Sequence, residues 1–423
     1  PPSIFGVDGD SFSRSGENIR APVYLEDRNE ARELLLIQNG LLHTMESSRP
    51  MEADLLACEG RIVAIAPRIE PPSGACVVDA KGMLVFPGFI DAHSHIGISE
   101  EKIGRQGDDC NEGTNPLTPC LRAIDAINPM DSAFHNALAA GITGAMVGPG
   151  SANPIGGQFA FIKTDGRCVD DMVVLAPSAI KVAFGENPKT NYGINGNMPS
   201  TRMGIASLIR EELFLARQYF AAGSSTLAQQ AFGRECYRAL FEGNIPLKAH
   251  VHRTDDIFTA IRIAKEFGLG LTLDHCTEGH LIAPQIADSG FPAIVGPSLA
   301  SRSKNEVNQS DFKTAGVLAK AGVLVAITTD HPVSRIQYLP LCAALAAKEG
   351  LGGAEALRAI TINAARICRV DGRLGSLKVG KDADITIYDG DPLTIRATAR
   401  VTIVNGRIAY QCDKNADGII RVV

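Results

Sequence analysis

The sequence predicts an α/β protein, an (α/β)8 TIM-like barrel joined to a small β-sandwich domain formed from both chain ends. Three observations carry this expectation. Both ends read as turn-linked strands, the middle alternates short apolar strands with helices, and seven of nine histidines stand beside predicted strand ends. A chain of 423 residues has room for a barrel and an accessory piece, because such barrels take about 250 residues.

The ends come first. Leu34–Ile37 and Leu41–Thr44 flank Asn39-Gly40, and Val401–Val404 and Ile408–Tyr410 flank Asn405-Gly406. Asn-Gly between apolar runs is a strong hairpin signal, because both turn residues need positive φ. Asp54–Ala57 and Arg61–Ile65 form a similar pair around Glu59-Gly60, and Asp384–Tyr388 adds a strand. A composite β domain is expected over 1–87 and 370–423, with the barrel over 88–369.

In the middle, strands are expected at Met83–Phe86, Gly144–Val147, Ile180–Ala183, Pro246–His250, Leu271–His275, Ala293–Val295 and Val323–Ile327. Alternation with helices implies parallel βα units. Thr254 is placed to cap a helix running to Gly268, with Asp255 and Asp256 in its first turn, where the helix dipole favours acids. A longer helical insertion is expected over 201–242.

Composition narrows the functional classes. The formal net charge is −6, which argues against a nucleic-acid partner or an anionic membrane surface, since both ask for a basic face. No window of about 18 residues is apolar enough for a transmembrane helix. Residues 1–20 lack the basic segment and apolar run of a signal peptide. Ten scattered cysteines without a CxxC pair read as reduced thiols in a cytoplasmic protein. A small-molecule substrate is the expected partner.

The chemistry rests on histidines. In His93-Ser94-His95, residues two apart on a strand point to one side, so two imidazoles can serve one metal. Asp91 precedes them and could orient a ring. The spacing to later candidates supports the pair, because each βα unit of a barrel takes about 30 residues. Lys181 lies 86 residues after His95, His250 lies 69 after Lys181, His275 lies 25 further, and Asp330 lies 55 beyond that. With His93 on strand 1, these positions fall on strands 4, 5, 6 and 8, at the C-terminal rim where barrel active sites lie. His252 shares a face with His250, so either can be the strand-5 ligand.

At this point the chain resembles the amidohydrolase superfamily. Phe86-Pro87-Gly88-Phe89-Ile90-Asp91-Ala92-His93-Ser94-His95 looks like its strand-1 signature. Thr361–Ala365 followed by Gly375–Asp384 is similar to its return to the β-sandwich. The resemblance spans about residues 33–410 and is closest to the imidazolonepropionase-related branch. It implies Zn²⁺, one or two ions with two favoured. His93, His95 and Asp330 would hold one and His250 and His275 the other, with Lys181 as a carboxylated lysine bridging them. It implies Asp330 as the catalytic base; His275 either binds the second ion or holds the water and the developing oxyanion. The reaction implied is hydrolysis of a C–N bond in an amide, cyclic amide or peptide-like small molecule. Homo-oligomers are common in the family.

Two other functions compete. Deaminases of nitrogen heterocycles in this family carry a glutamate soon after the strand-5 histidine, whereas here Val251, His252, Arg253 and Thr254 follow. Non-catalytic barrel scaffolds tend to lose ligands, and this chain keeps a full set. Asp413–Gly418 resembles half of a calcium loop but has no room for its twelfth ligand, so a polar turn is expected. Gly148-Pro149-Gly150 and Ile155–Gln158 match no phosphate loop and could border the pocket. Arg253, Arg302 and Lys304 follow strand ends, where one could hold a substrate carboxylate. Glu186–Lys189 is a rim loop without an evident role.

Overall fold

The computed structural model describes residues 33–222, 228–412 and 420–422. Strands β1 (Leu34–Leu42), β2 (Met51–Cys58), β3 (Arg61–Ala66), β4 (Cys76–Asp79) and β5 (Leu84–Pro87) open it. Next come β6 (Phe89–Ser94), β7 (Ile142–Val147), β8 (Ile155–Lys163) and β9 (Val173–Ala183). These are followed by β10 (Leu247–Val251), β11 (Leu271–His275), β12 (Ala293–Val295) and β13 (Val325–Ile327). The chain returns through β14 (Ile385–Tyr388), β15 (Ala399–Val404), β16 (Arg407–Gln411) and β17 (Ile420–Val422).

Strands β6 to β13 form one eight-stranded sheet in chain order. It curls until its ends meet: His95 N donates to His331 O at 2.9 Å, and Thr328 Oγ1 donates to the carbonyl of His93. Period-two alternation separates its two faces. Ile90, Ala92, Met146 and Ile294 pack in one cluster, while Phe89, Ala145, Val147 and Val295 pack in another with the surrounding helices. Strands buried on both faces read as unbroken apolar runs, which is why the middle of the sequence was legible.

The direction of one strand differs from expectation. β8 runs antiparallel to both β7 and β9, so the third position is a hairpin strand and not a βα unit. The count of strands from β6 to β9 is unaffected.

A second, nine-stranded sheet draws on both ends of the chain. Here β1 pairs with β2 on one edge, and on the other with β4 along its first half and β5 along its second. Asn39-Gly40 is not a hairpin. β1 runs straight through it, with a register shift against β2 and φ +59° at Asn39. Positive φ serves a bulge as well as a turn. The turns at Glu59-Gly60 and Asn405-Gly406 do join β2 to β3 and β15 to β16. The run at Met83–Phe86 belongs to this sheet as β5, paired with β1 and β14.

Buried Lys163, at the end of β8, joins the two sheets. Its Nζ lies 2.8 Å from Asp382 Oδ2 and 2.9 Å from Asp384 Oδ1. The helix Thr254–Phe267 ends at Gly268 with φ +70°, as its glycine predicts. Thr254 is its first residue and not its cap; Glu278 Oε2 accepts from Thr254 N instead. The insertion forms helices Arg202–Ala222, Ala228–Glu235 and Arg238–Phe241. Among the described residues no helix is long and apolar enough to cross a membrane. All ten cysteines are free thiols. Residues 1–32 of the expected terminal domain, and the turn at Asp413–Gly418, lie outside the described residues.

Candidate metal centre

The C-terminal ends of β6, β9, β10 and β11 and the loop after β13 open into one cavity of about 320 Å³. His93, His95, Lys181, His250, His252, His275 and Asp330 all line it. Two of the strand-end histidines do not reach it. His280 bonds Thr277 and Thr314, and His331 Nδ1 accepts from Ile336 N. A larger groove of about 710 Å³ lies between helices Arg202–Ala222 and Thr254–Phe267 and holds none of these donors.

Three imidazoles are held in one tautomer by acceptor-only partners. His93 Nδ1 is 2.6 Å from Asp274 Oδ2, His95 Nδ1 is 2.6 Å from Gly148 O, and His275 Nδ1 is 2.8 Å from Gly296 O. Carbonyls and carboxylates only accept, so each Nδ1 carries a proton, and in the neutral ring Nε2 keeps a lone pair. At His95 burial is outweighed by Cys110 and Asp330, which raise the pKa to about 10, so a cation there would displace a proton from Nε2. Asp330 Oδ1 lies 3.4 Å from His93 Nε2 and 3.3 Å from His95 Nε2. His275 Nε2 is buried without a hydrogen-bond partner. A buried polar atom left unpaired is costly, and a cation would satisfy this lone pair.

Backbone strain helps assemble the site. His275 and Asp330 adopt φ of +68° and +52°, rare for residues with a Cβ. Alternation would put Asp274 and His275 on opposite faces. The left-handed turn at His275 brings both to the centre, one on His93 and one toward Asp330.

Donors of His93, His275 and Asp330 converge within 4.8 Å of one another, and so do those of His250, His252 and Glu306. Imidazole nitrogens with carboxylate oxygens suit Zn²⁺ and similar divalent ions. Lys181 Nζ is 3.2 Å from His93 Nε2. Burial, opposed by Asp274 and Asp330, lowers its pKa to about 8.

Several residues escaped the sequence reading. Asp91 does not orient a histidine ring; it accepts from Thr328, Thr329 and the His93 backbone. Asp274 orients His93, and buried Lys248 holds Asp274 from 3.1 Å. Glu306 comes from a short 3-10 turn after β12, and Asn187 from the first turn of the helix Glu186–Gly193 after β9, where the sequence suggested a rim loop. Of the three basic candidates, Lys304 lines the cavity, whereas Arg253 pairs with Asp255 and Arg302 with Ser310 O. No local pattern marks Glu306, and for Asn187 the sequence offered only its place in the segment after the Lys181 strand. Asp274 carried one signal, its place beside His275 at a strand end.

The family model described as "Amidohydrolase family" matches residues 199–410. A crystal structure of an amidohydrolase from Thermotoga maritima MSB8 is 38% identical, with a TM-score of 0.86, covering 89% of this chain and 100% of that one. The amidohydrolase tasK of Hapsidospora irregularis is 28% identical over 394 residues; the match takes in 84% of this chain but only 40% of that protein. The imidazolonepropionase of Klebsiella pneumoniae subsp. pneumoniae is 24% identical over 385 residues, covering 85% of this chain and 93% of that one. The chain belongs to the amidohydrolase family.

Proposed function

We propose that this protein hydrolyses a C–N bond of a small molecule, an amide, cyclic amide or peptide-like bond, with a divalent cation in the cavity. Membership of the family supports metal-dependent C–N hydrolysis in general. The observation that carries the reading is the convergence of His93 Nε2, His95 Nε2 and Asp330 on one buried point, with both imidazole protons held on the far side. The cation ligands on this reading are His93, His95, Lys181, His250, His275 and Asp330, with Zn²⁺ the ion of choice and two ions favoured.

When bound, the cation supplies a Lewis acid and lowers the pKa of water toward about 7. The residues do the rest. Asp330 is the base: burial opposes its ionisation, but His275, His95 and Lys181 hold its carboxyl below the usual range. It stays an acceptor at neutral pH, takes a proton from the attacking water and returns it to the leaving nitrogen. His275 would act through the cation, since its proton sits on Nδ1 toward Gly296 O and its Nε2 offers a lone pair. Asp274 keeps the His93 lone pair facing inward. Neutral Lys181 would add CO₂ and release a proton to solvent, giving a carbamate whose oxygens would serve as further anionic ligands.

Deamination of a nitrogen heterocycle is the second reading, and one observation favours it. The acid missing after His250 in the sequence is supplied through space, since Glu306 Oε1 lies 3.7 Å from His250 Nε2. A screen of zinc-loaded protein against N-acyl amino acids, dipeptides, cyclic amides and amino-heterocycles separates the two. New amine and carboxyl groups identify the hydrolase. Ammonia released only from heterocycles identifies the deaminase.

A further inference from the structure

We propose that His250, His252 and Glu306 form a second cation site, whose carboxylate comes from the loop after β12. This rests on the reading above, that the cavity works with divalent cations. It changes which residues hold the second ion: His252 and Glu306 join His250, and His275 becomes the wall shared with the first site.

The three ligand atoms lie within 4.8 Å of one another, and all three residues are buried. Glu306 Oε1 is 3.7 Å from His250 Nε2 and 3.7 Å from His252 Nε2. His250 Nε2 accepts from Asn187 Nδ2 at 3.4 Å, so Nε2 carries the lone pair of that ring, and a cation would take it over from the amide. His252 is anchored on its other side, with Nδ1 2.7 Å from Thr277 Oγ1. The His275 ring centroid lies 4.5 Å from that of His250 and 4.9 Å from that of His252. The two donor groups are therefore neighbours in one cavity. Two imidazoles and a carboxylate, with room on the cavity side, make a zinc-type donor set.

Glu306 is built into place. Its Oε2 accepts from Glu186 N at 2.8 Å. Gly185 has φ +89°, and a Cβ there would run into that same oxygen. Two rim loops are thus shaped around one buried carboxylate, and a buried charge is expensive unless it is paired. Its present partner is Lys304, whose Nζ is 2.6 Å from Oε1 and also donates to Asn187 Oδ1 at 2.8 Å. The Lys304 side chain is 26% exposed whereas Glu306 is fully enclosed. A lysine on a flexible stem can swing to solvent and give up the position to a dication. Lys304 is then the competitor of the second ion.

Metal counting on the full chain tests this, with Zn²⁺ for stoichiometry and Co²⁺ titrated by its visible absorption for affinity. Wild type should hold two ions per chain. Glu306→Gln keeps the acceptor for Glu186 N, and His252→Gln keeps polarity; each should hold one. Lys304→Met should bind the second Co²⁺ roughly tenfold more tightly, because a competing positive charge is gone. If both ligand variants hold two ions at wild-type affinity, or if wild type holds one, the second site is refuted while the metal-dependent reading stands. If wild type holds none, that reading itself fails. Should Glu306→Gln and His252→Gln lose their folded circular dichroism, Lys304→Met decides. Tighter binding supports the site. Unchanged or weaker binding makes Lys304–Glu306 a structural pair and overturns it.

Discussion

Lys181 Nζ lies 3.2 Å from His93 Nε2, and both side chains are buried. The lysine nitrogen points at the lone pair that a metal would take. Its carrier strand β9 reaches this point only because β8 doubles back between β7 and β9. The contact puts Lys181 among the groups whose charge decides whether a cation can enter.

The first prediction concerns the pH of metal loading. Burial lowers the Lys181 pKa to about 8 from 10.5. The neutral amine, the form that reacts with CO₂, is therefore depleted below pH 8 and dominant above it. Between pH 6.5 and 8.5 its fraction rises roughly twentyfold. Metal-free protein given zinc and bicarbonate should regain activity markedly faster at pH 8.5 than at 6.5. Lys181→Ala should show no such bicarbonate dependence, and acetate should restore part of its metal content. A wild-type activation rate that is flat with pH and bicarbonate would remove Lys181 from the mechanism.

Asp330→Asn tests the base. The amide keeps the size and cannot take up a proton at neutral pH, so turnover should fall by about 10²–10⁴. Metal content measured on the same sample separates loss of the base from loss of the ion. Near-normal turnover with metal retained would move the role to another group, His275 first.

Asp274→Asn tests the orientation of His93. The amide no longer offers a charged acceptor to Nδ1–H, and Lys248 loses its ion pair. Zinc affinity should drop by about 10–100-fold, as for other partners that orient metal-binding histidines. Competition with a chromogenic chelator measures it. Unchanged affinity would mean that His93 needs no help.

Lys163→Met tests the joint between the sheets. It leaves Asp382 and Asp384 without the cation that pairs them, although Arg373 still reaches Asp382. Breaking one side of a buried ion pair costs about 3–5 kcal/mol. Denaturant unfolding should show that loss with metal loading intact. A loss under about 1 kcal/mol would mean that water or Arg373 compensates.

How much of this was legible in advance follows from how local each signal is. His93 and His95 are two residues apart, and strand alternation was enough to pair them in the sequence; in the structure β6 shifts register between Asp91 and Ser94 and His95 lies just past its end. His250, His275 and Asp330 follow apolar strands, so their places at the rim could be counted along the chain. The hairpins at Glu59-Gly60 and Asn405-Gly406 were readable because a positive-φ pair between apolar runs has few other uses. Asn39-Gly40 carried the same signal and is a bulge, because the strand beyond it found partners in β2 and β5.

The sequence by itself determined the rim positions of the candidate ligands, the alternation of the barrel core and the use of both ends in one sheet. These follow from periodicity and turn chemistry within a few residues. Only the tertiary structure decided which acid meets which histidine. Asp274 reaches His93 across 181 residues from the inner face of β11, in register with Ile294 and Ala326, and φ +68° at His275 turns the next side chain toward the same centre. Glu306 meets His250 and His252 because two rim loops close over it. The direction of β8 belongs to the same class. Such pairings depend on how the sheet closes, and closure brings together residues whose sequence neighbours carry no trace of the contact.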